Sequence, residues 1–489
     1  MNADRSTLRT AALIAALAPS LALAQAQPQG AAANPNAGML TPATTNAAAV
    51  TELRASLDRY NLWTTRPSVQ HARRALELEP TFGLARTTQA ILVGGPTAAA
   101  EFQRAATEAS TGSAVEALLA LGAREVNAGR APTGRRLSQL AAELAPNDRQ
   151  VATWRAIQLP DTVRVNALRD VANRFPDYPG AKMWLAYYLT PAGLDSIIKA
   201  NTDEALRVAF EAVRLAPNES GTHTAVAHVL VYNGRFDEAK GHLAAATKMT
   251  PVSEYAYELQ AQIAAVENNF PALRAALDTA AAATPGIGAG FSYRRAHALV
   301  ALSEGNPQGA LTELSTIEHD AEAIGANPQA ATTHLFMAAV AAATRDTAVL
   351  EQHLAAARML DSAQAAVADY AVTTYSISGQ AAKARRALEE YIRVGGPRPN
   401  LPPAVNATRT TNVHRMTGLV LIAEKKPQEA MAELRQGGNN PYATLGIIEA
   451  YKLMKDNKAA DAERTAFFQR KNFSFNSTAT PIIRYRAKK

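Results

Sequence analysis

From Val50 to about residue 470 the chain is a succession of amphipathic segments, each about twelve to sixteen residues long. Within a segment the apolar positions recur three and four apart, which places them on one face of a 3.6-residue helix. Ala, Leu, Glu and Arg dominate these segments, and short punctuation containing Pro, Gly or Asn separates them. Runs that alternate with period two, as a half-buried strand requires, are nearly absent. The pattern therefore predicts an all-α chain of helices joined by short turns.

A longer period lies over the helical one. Pro217, Pro251 and Pro285 each close a segment and stand 34 residues apart. Five residues before each is alanine (Ala212, Ala246, Ala280), and twelve before are Ala205, Ala239 and Leu273. The unit from Ser220 to Pro251 adds Ala227, Gly234 and Phe236. Two antiparallel helices approach closely only where small side chains meet, as Ala227 and Ala239 would. Gly234 can take the positive φ that ends a first helix, and Pro251 stops the second. The same pattern recurs more loosely from Val115 to Pro146 (Leu121, Gly122, Gly129, Ala141) and at Ala75 with Pro80. Downstream, Gly305 with Ala310, Gly379 with Ala384, and Gly418 with Ala430 mark further hairpins.

On these residues the chain resembles the tetratricopeptide-repeat family from about residue 50 to 470. The resemblance implies a right-handed superhelical solenoid of about nine to eleven antiparallel hairpins, with the first helix of each facing a concave binding surface. The family's first-helix tryptophan is replaced by His223 and Tyr257 in the two clearest units. Trp184 precedes a longer connection, Thr190 to Asn201, and the repeats after Pro285 lack the closing proline.

The ends read differently. Arg5 and Arg9, an apolar run from Ala11 to Leu23, and the small residues ending at Ala24 form a secretory signal, cleaved after Ala24 (residues 1–24). The run is too short for a membrane span, and no later stretch is long and apolar enough for one. Residues 25–46 have the composition of a disordered leader. A repeat array is expected over 47–394, a Pro/Gly-rich linker over 395–410, further hairpins over 411–470 and a basic tail over 471–489. The signal places the mature chain in the periplasm or the medium.

The formal charge of +7 changes this picture little, because it sits at one end. Arg464, Arg470, Lys471, Arg484, Arg486, Lys488 and Lys489 are followed or interrupted by no acidic residue, which leaves the body near neutral. A basic groove, and with it a nucleic-acid ligand, is not expected. The same tail carries Phe467, Phe468, Phe473, Phe475 and Tyr485, and an anionic membrane surface is a conceivable weak contact for it. Cysteine is absent, which excludes disulfides, thiol catalysis and thiolate metal sites.

Motifs for chemistry are missing: no His-Glu-x-x-His, no Gly-x-Ser-x-Gly, no phosphate loop and no dinucleotide fingerprint. Gly94-Gly95-Pro96 lacks the lysine and strand of a phosphate cradle. His223 and His228 are five apart and diverge on a helix, and the neighbours Glu318, His319 and Asp320 diverge as well. No enzyme, cofactor or metal is therefore expected. The inner stripe of the repeats projects onto Thr224, His228, Tyr232, Tyr255, Glu258, Gln262, Arg295, Asp369 and Arg415, a mixture suited to a protein or peptide partner. The expected function is a non-enzymatic exported scaffold or adaptor. The alternatives are an envelope-associated assembly factor that uses the basic tail, or a hydrolase built as a helical toroid.

Overall fold

The computed structural model describes residues 39–40, 42, 44–190, 201–360, 364–401, 403–438, 440–469 and 478–487. The signal segment and the insertion carrying Pro191 and Gly193 lie outside these residues. Among the described residues every regular element is an α-helix, 25 in all, from Ala47–Asn61 to Ala479–Ala487. The chain divides into two compact units, residues 1–256 with 284–286, and residues 257–283 with 287–489.

In the first unit six antiparallel hairpins follow one another, from Ala47–Asn61 with Thr65–Leu78 to Ser220–Tyr232 with Phe236–Ala246. First helices also touch the first helices of neighbouring hairpins: Gly83–Val93 packs on Ala114–Asn127, and Pro179–Tyr188 on Ser220–Tyr232. The 34-residue alanines serve this packing, since Ala205, Ala212, Ala239 and Ala246 are all fully buried. Around them Val208, Leu230 and Leu243 supply the apolar bulk, each worth about 2 kcal/mol on burial. Gly234, at φ +70°, makes the expected turn before Phe236 opens the second helix.

The second unit begins with the segments 257–266 and Phe270–Ala283, whose Ala261, Ala265, Leu277 and Ala280 share one core. Five hairpins follow, from Ile287–Glu304 with Pro307–Ala323 to Pro441–Leu453 with Asn457–Gln469. Helix Ala479–Ala487 then ends the described chain.

Several expected boundaries move. Leu40 is buried, its amide donating to Asp148 Oδ2 at 3.1 Å and its carbonyl accepting from Arg54 Nη2 at 2.8 Å. The packed structure therefore reaches back into the stretch expected to be a disordered leader. Residues 403–410 are not a linker, because Pro403–Ala423 is one continuous helix that packs on both Gln364–Ser378 and Ala381–Gly395. Proline can open a helix, since its missing N–H would have no intrahelical partner there, so the prolines of this stretch start an element as readily as they break one. Gly418 lies inside that helix where Leu434 crosses it, and the turn itself falls at Lys425, φ +60°.

Candidate functional site

In the first unit helix Ala47–Asn61 and the start of helix Thr65–Leu78 meet the N-terminal ends of later first helices. Arg54 reaches Asp148 (2.6 Å) and Gln150 (2.7 Å) at the start of Arg149–Ile157. Asp58 accepts from Gln150 Nε2 at 2.8 Å and from the Tyr178 hydroxyl at 3.2 Å. Burial and this carboxylate together push the Tyr178 phenol well above its ordinary range. Arg59 pairs with Glu219 at 2.7 Å, and the Glu254 carboxylate accepts from the amides of Thr65 and Arg66 at 2.9 and 2.7 Å. Glu254 thereby satisfies two of the orphan donors at the start of helix Thr65–Leu78.

Beside these contacts all three tryptophans meet in one aromatic run. Trp154 lies 6.2 Å from Tyr60, Tyr60 lies 6.0 Å from Trp184, and Trp184 lies 5.5 Å from Trp63. Trp63 continues to Tyr187 (5.9 Å) and Tyr255 (5.7 Å), and Tyr187 stacks on His228 at 4.6 Å. Trp63 joins this run through the short turn after Asn61, where its φ is +56°. Apart from Trp184 and Tyr187, three apart on one helix, local periodicity does not bring these rings together, because they come from five separate helices and one turn. Tyr60 and Trp154 also line an apolar cavity of about 320 Å³ with Ile91 and Phe102.

The residues projected onto the inner stripe divide by exposure. Thr224 and His228 are fully buried, and Tyr232 and Tyr255 are half-buried. His228 holds Thr190 Oγ1 through Nε2 (2.9 Å) and the Tyr255 hydroxyl through Nδ1 (2.7 Å). Burial lowers its pKa to about 3, so it is a neutral structural imidazole. His223 diverges from it, as the helix spacing requires, and meets His242 at 3.3 Å. In the second unit Gln262, Arg295 and Arg415 are buried, while Glu258 and Asp369 are half-buried. Glu258 accepts from the Tyr293 hydroxyl at 2.7 Å, and burial raises its pKa. Arg295 donates twice to Gln329 Oε1, at 3.1 Å each, and burial brings its pKa down to about 10. Arg415 binds Asp369 at 2.7 Å. Five of the nine residues are thus enclosed among the chain's own side chains and offer a partner no direct contact.

In the second unit helix Ala479–Ala487 covers part of the first-helix face. It packs on the first helices Ile287–Glu304, Asn327–Thr344 and Pro441–Leu453, burying Ile482, Ile483 and Tyr485. Tyr442 and Thr478 share a hydroxyl hydrogen bond at its start. Arg484 Nη2 donates to the Ala265 carbonyl at 2.8 Å, with its guanidinium 5.5 Å from the Phe270 ring and 5.2 Å from Phe468. Arg486 Nη2 donates to the Ile377 carbonyl at 2.7 Å and Nη1 lies 3.8 Å from Glu449. Ala265 and Ile377 lie in the last turns of their helices, where the carbonyls lack intrahelical partners and the macrodipole favours a cation.

Within the expected basic tail, residues 478–487 are therefore docked against the second unit. Arg484 and Arg486 face helix ends rather than an anionic membrane surface, and Phe467 is buried. Phe473, Phe475, Arg470, Lys471, Lys488 and Lys489 lie outside the described residues. Among the described residues no helix is long and apolar enough to cross a membrane.

These features define an all-α helical-hairpin repeat protein in which the last described helix, Ala479–Ala487, lies on first helices of the second unit. No protein-family model matches the chain, and no curated protein matches it. Among solved structures, human IFIT1 in a dimer with PPP-AAAA is similar at a TM-score of 0.40, with 11% identity over 86% of this chain and 93% of that one. The APC/C hetero-tetramer Cut9–Hcn1 is similar at 0.33, with 9% identity over 89% and 95%. Yeast Tom70 is similar at 0.32, with 12% identity over 90% and 95%. At these identities and TM-scores the matches assign neither a ligand nor an activity.

Proposed function

We propose that this protein is an exported, non-catalytic helical-repeat scaffold that holds an amphipathic helical segment of a partner protein against the first helices of its second unit. The observation that carries this reading is the seat taken by helix Ala479–Ala487. Two isoleucines and a tyrosine enter the apolar contact while two arginines take up helix-end carbonyls. A surface that holds such a helix in cis has the chemistry to hold one in trans, because apolar anchors at helical spacing supply the area and charge-assisted hydrogen bonds set the register. Export rests on the charged, apolar and small-residue sections of residues 1–24.

The test uses a fluorescent peptide of residues 476–489 as probe, with fluorescence anisotropy against the full-length chain and a chain ending at residue 475. The shortened chain is expected to bind the peptide at least tenfold more tightly than the full-length one, whose seat is filled. A shortened chain with unchanged helicity and no affinity for the peptide would remove the reading. An Arg484→Met/Arg486→Met full-length variant provides the same comparison without truncation.

A further inference from the structure

Glu318 and Glu322 stand one turn apart near the end of helix Pro307–Ala323, and His334 reaches them from the next helix, Asn327–Thr344. One donor atom from each of the three lies within 4.8 Å of the others, with His334 Nε2 3.7 Å from Glu318 Oε1. Like charges at this spacing repel, and the helix C-terminus adds its own negative end. That last turn contains no basic residue, and among the described residues neither carboxylate has an ion pair with lysine or arginine. The arrangement concentrates negative charge without the cation that would balance it.

His334 makes the group more than an acidic cluster. It is 8% exposed, and its other nitrogen, Nδ1, is held by His353 Nδ1 at 3.1 Å, with the two rings stacked 5.2 Å apart. With His334 Nδ1 donating, its Nε2 lone pair faces the two carboxylates. This is the form in which a metal-binding imidazole is held, its second nitrogen engaged so that the tautomer and ring plane are set. Glu322 is exposed and Glu318 half-buried, which leaves an open side for entry and for water as a further ligand.

We propose that Glu318, Glu322 and His334 bind one divalent transition-metal ion of the zinc class, with His353 as the positioning residue behind His334. One imidazole and two carboxylates suit zinc or cobalt better than calcium, which prefers oxygen alone. Donors around zinc sit about 3.4 Å apart, so side-chain rotation from the present separations closes the site. The ion would tie two adjacent hairpins of the second unit together, independently of any partner helix.

The experiment is equilibrium dialysis of the EDTA-treated full-length chain against zinc chloride, with zinc measured by atomic emission, and cobalt absorption as a second readout. The wild type is expected to take up one more equivalent than Glu318→Gln/Glu322→Gln or His334→Gln. His353→Gln is expected to keep the stoichiometry and lose about tenfold in affinity. His223→Gln, which alters the histidine pair of the other unit, should leave this equivalent in place. Equal zinc uptake by the wild type and the double glutamine variant would overturn the assignment. So would wild-type cobalt spectra that stay those of the aqueous ion, a result that needs no variant to fold.

Discussion

Gly221 faces the carbonyl oxygen of Leu62 with no space between them for a side chain: a β-carbon built on Gly221 would lie 1.8 Å from that oxygen. The obstacle is backbone, in the turn that carries Trp63 onto the aromatic run, so it cannot swing aside as a side-chain tip would. Gly221→Ala is therefore expected to lower the stability of the first unit by about 3 kcal/mol, at the upper end of overpacking effects. Urea denaturation followed by tryptophan fluorescence checks this, and an unchanged midpoint would contradict the close approach. Gly241, with nothing near its β position, is the control, where alanine should be neutral or slightly stabilising.

His228 sets a pH dependence with a definite sign. Its folded pKa of about 3 lies below the ordinary 6.5, and the polar atoms it binds, on Thr190 and Tyr255, belong to neutral groups. The unfolded chain accordingly takes up a proton as pH falls through 6.5 while the folded chain does not. Stability is complete above pH 6.5 and is lost by about 1.4 kcal/mol per pH unit below it, until the folded imidazole itself protonates near pH 3. His228→Gln should flatten this part of the profile, measured by urea titration between pH 7 and 4. His353, lowered to about 4 by burial and by His334, gives a second contribution of the same sign in the other unit.

Arg486 and Arg484 should govern how firmly the last helix stays docked. Replacing both with methionine keeps the apolar stem of each side chain and removes the bonds to the Ala265 and Ile377 carbonyls. Hydrogen exchange across residues 478–487 is expected to accelerate by tenfold or more, while the hairpins from Ile287 to Gln469 keep their protection. Equal protection of the last helix in both proteins would mean that Ile482 and Ile483 hold it unaided.

Much of the fold was legible because each repeat needs the same local solution. A small residue where two helices cross, a turn former between them and an apolar face are all visible within 34 residues, as at Ala227, Gly234 and Ala246. Legibility fell off where turns are made without their usual residue. Arg345, Lys425 and Lys455 take positive φ where glycine would be looked for, and a pattern search passes over them. The strain at one such residue is about 1 kcal/mol, small enough for a stable hairpin to carry.

The candidate site was legible only in part. Thr224, His228, Arg295 and Arg415 do lie on first helices, as the repeat frame requires, yet all four are buried. Residues 479–487 read as a charged tail because a nine-residue helix has little stability of its own. Its structure comes from docking, through arginines whose charge would otherwise assign them to solvent.

By itself the sequence determined the helical class, the hairpin period and the alanine seams, since these follow from contacts between neighbours along the chain. Tertiary structure alone decided which first-helix residues stay accessible. That outcome depends on contacts spanning 108 residues between Leu40 and Asp148, and 219 between Arg484 and Ala265, and no local periodicity records such pairings.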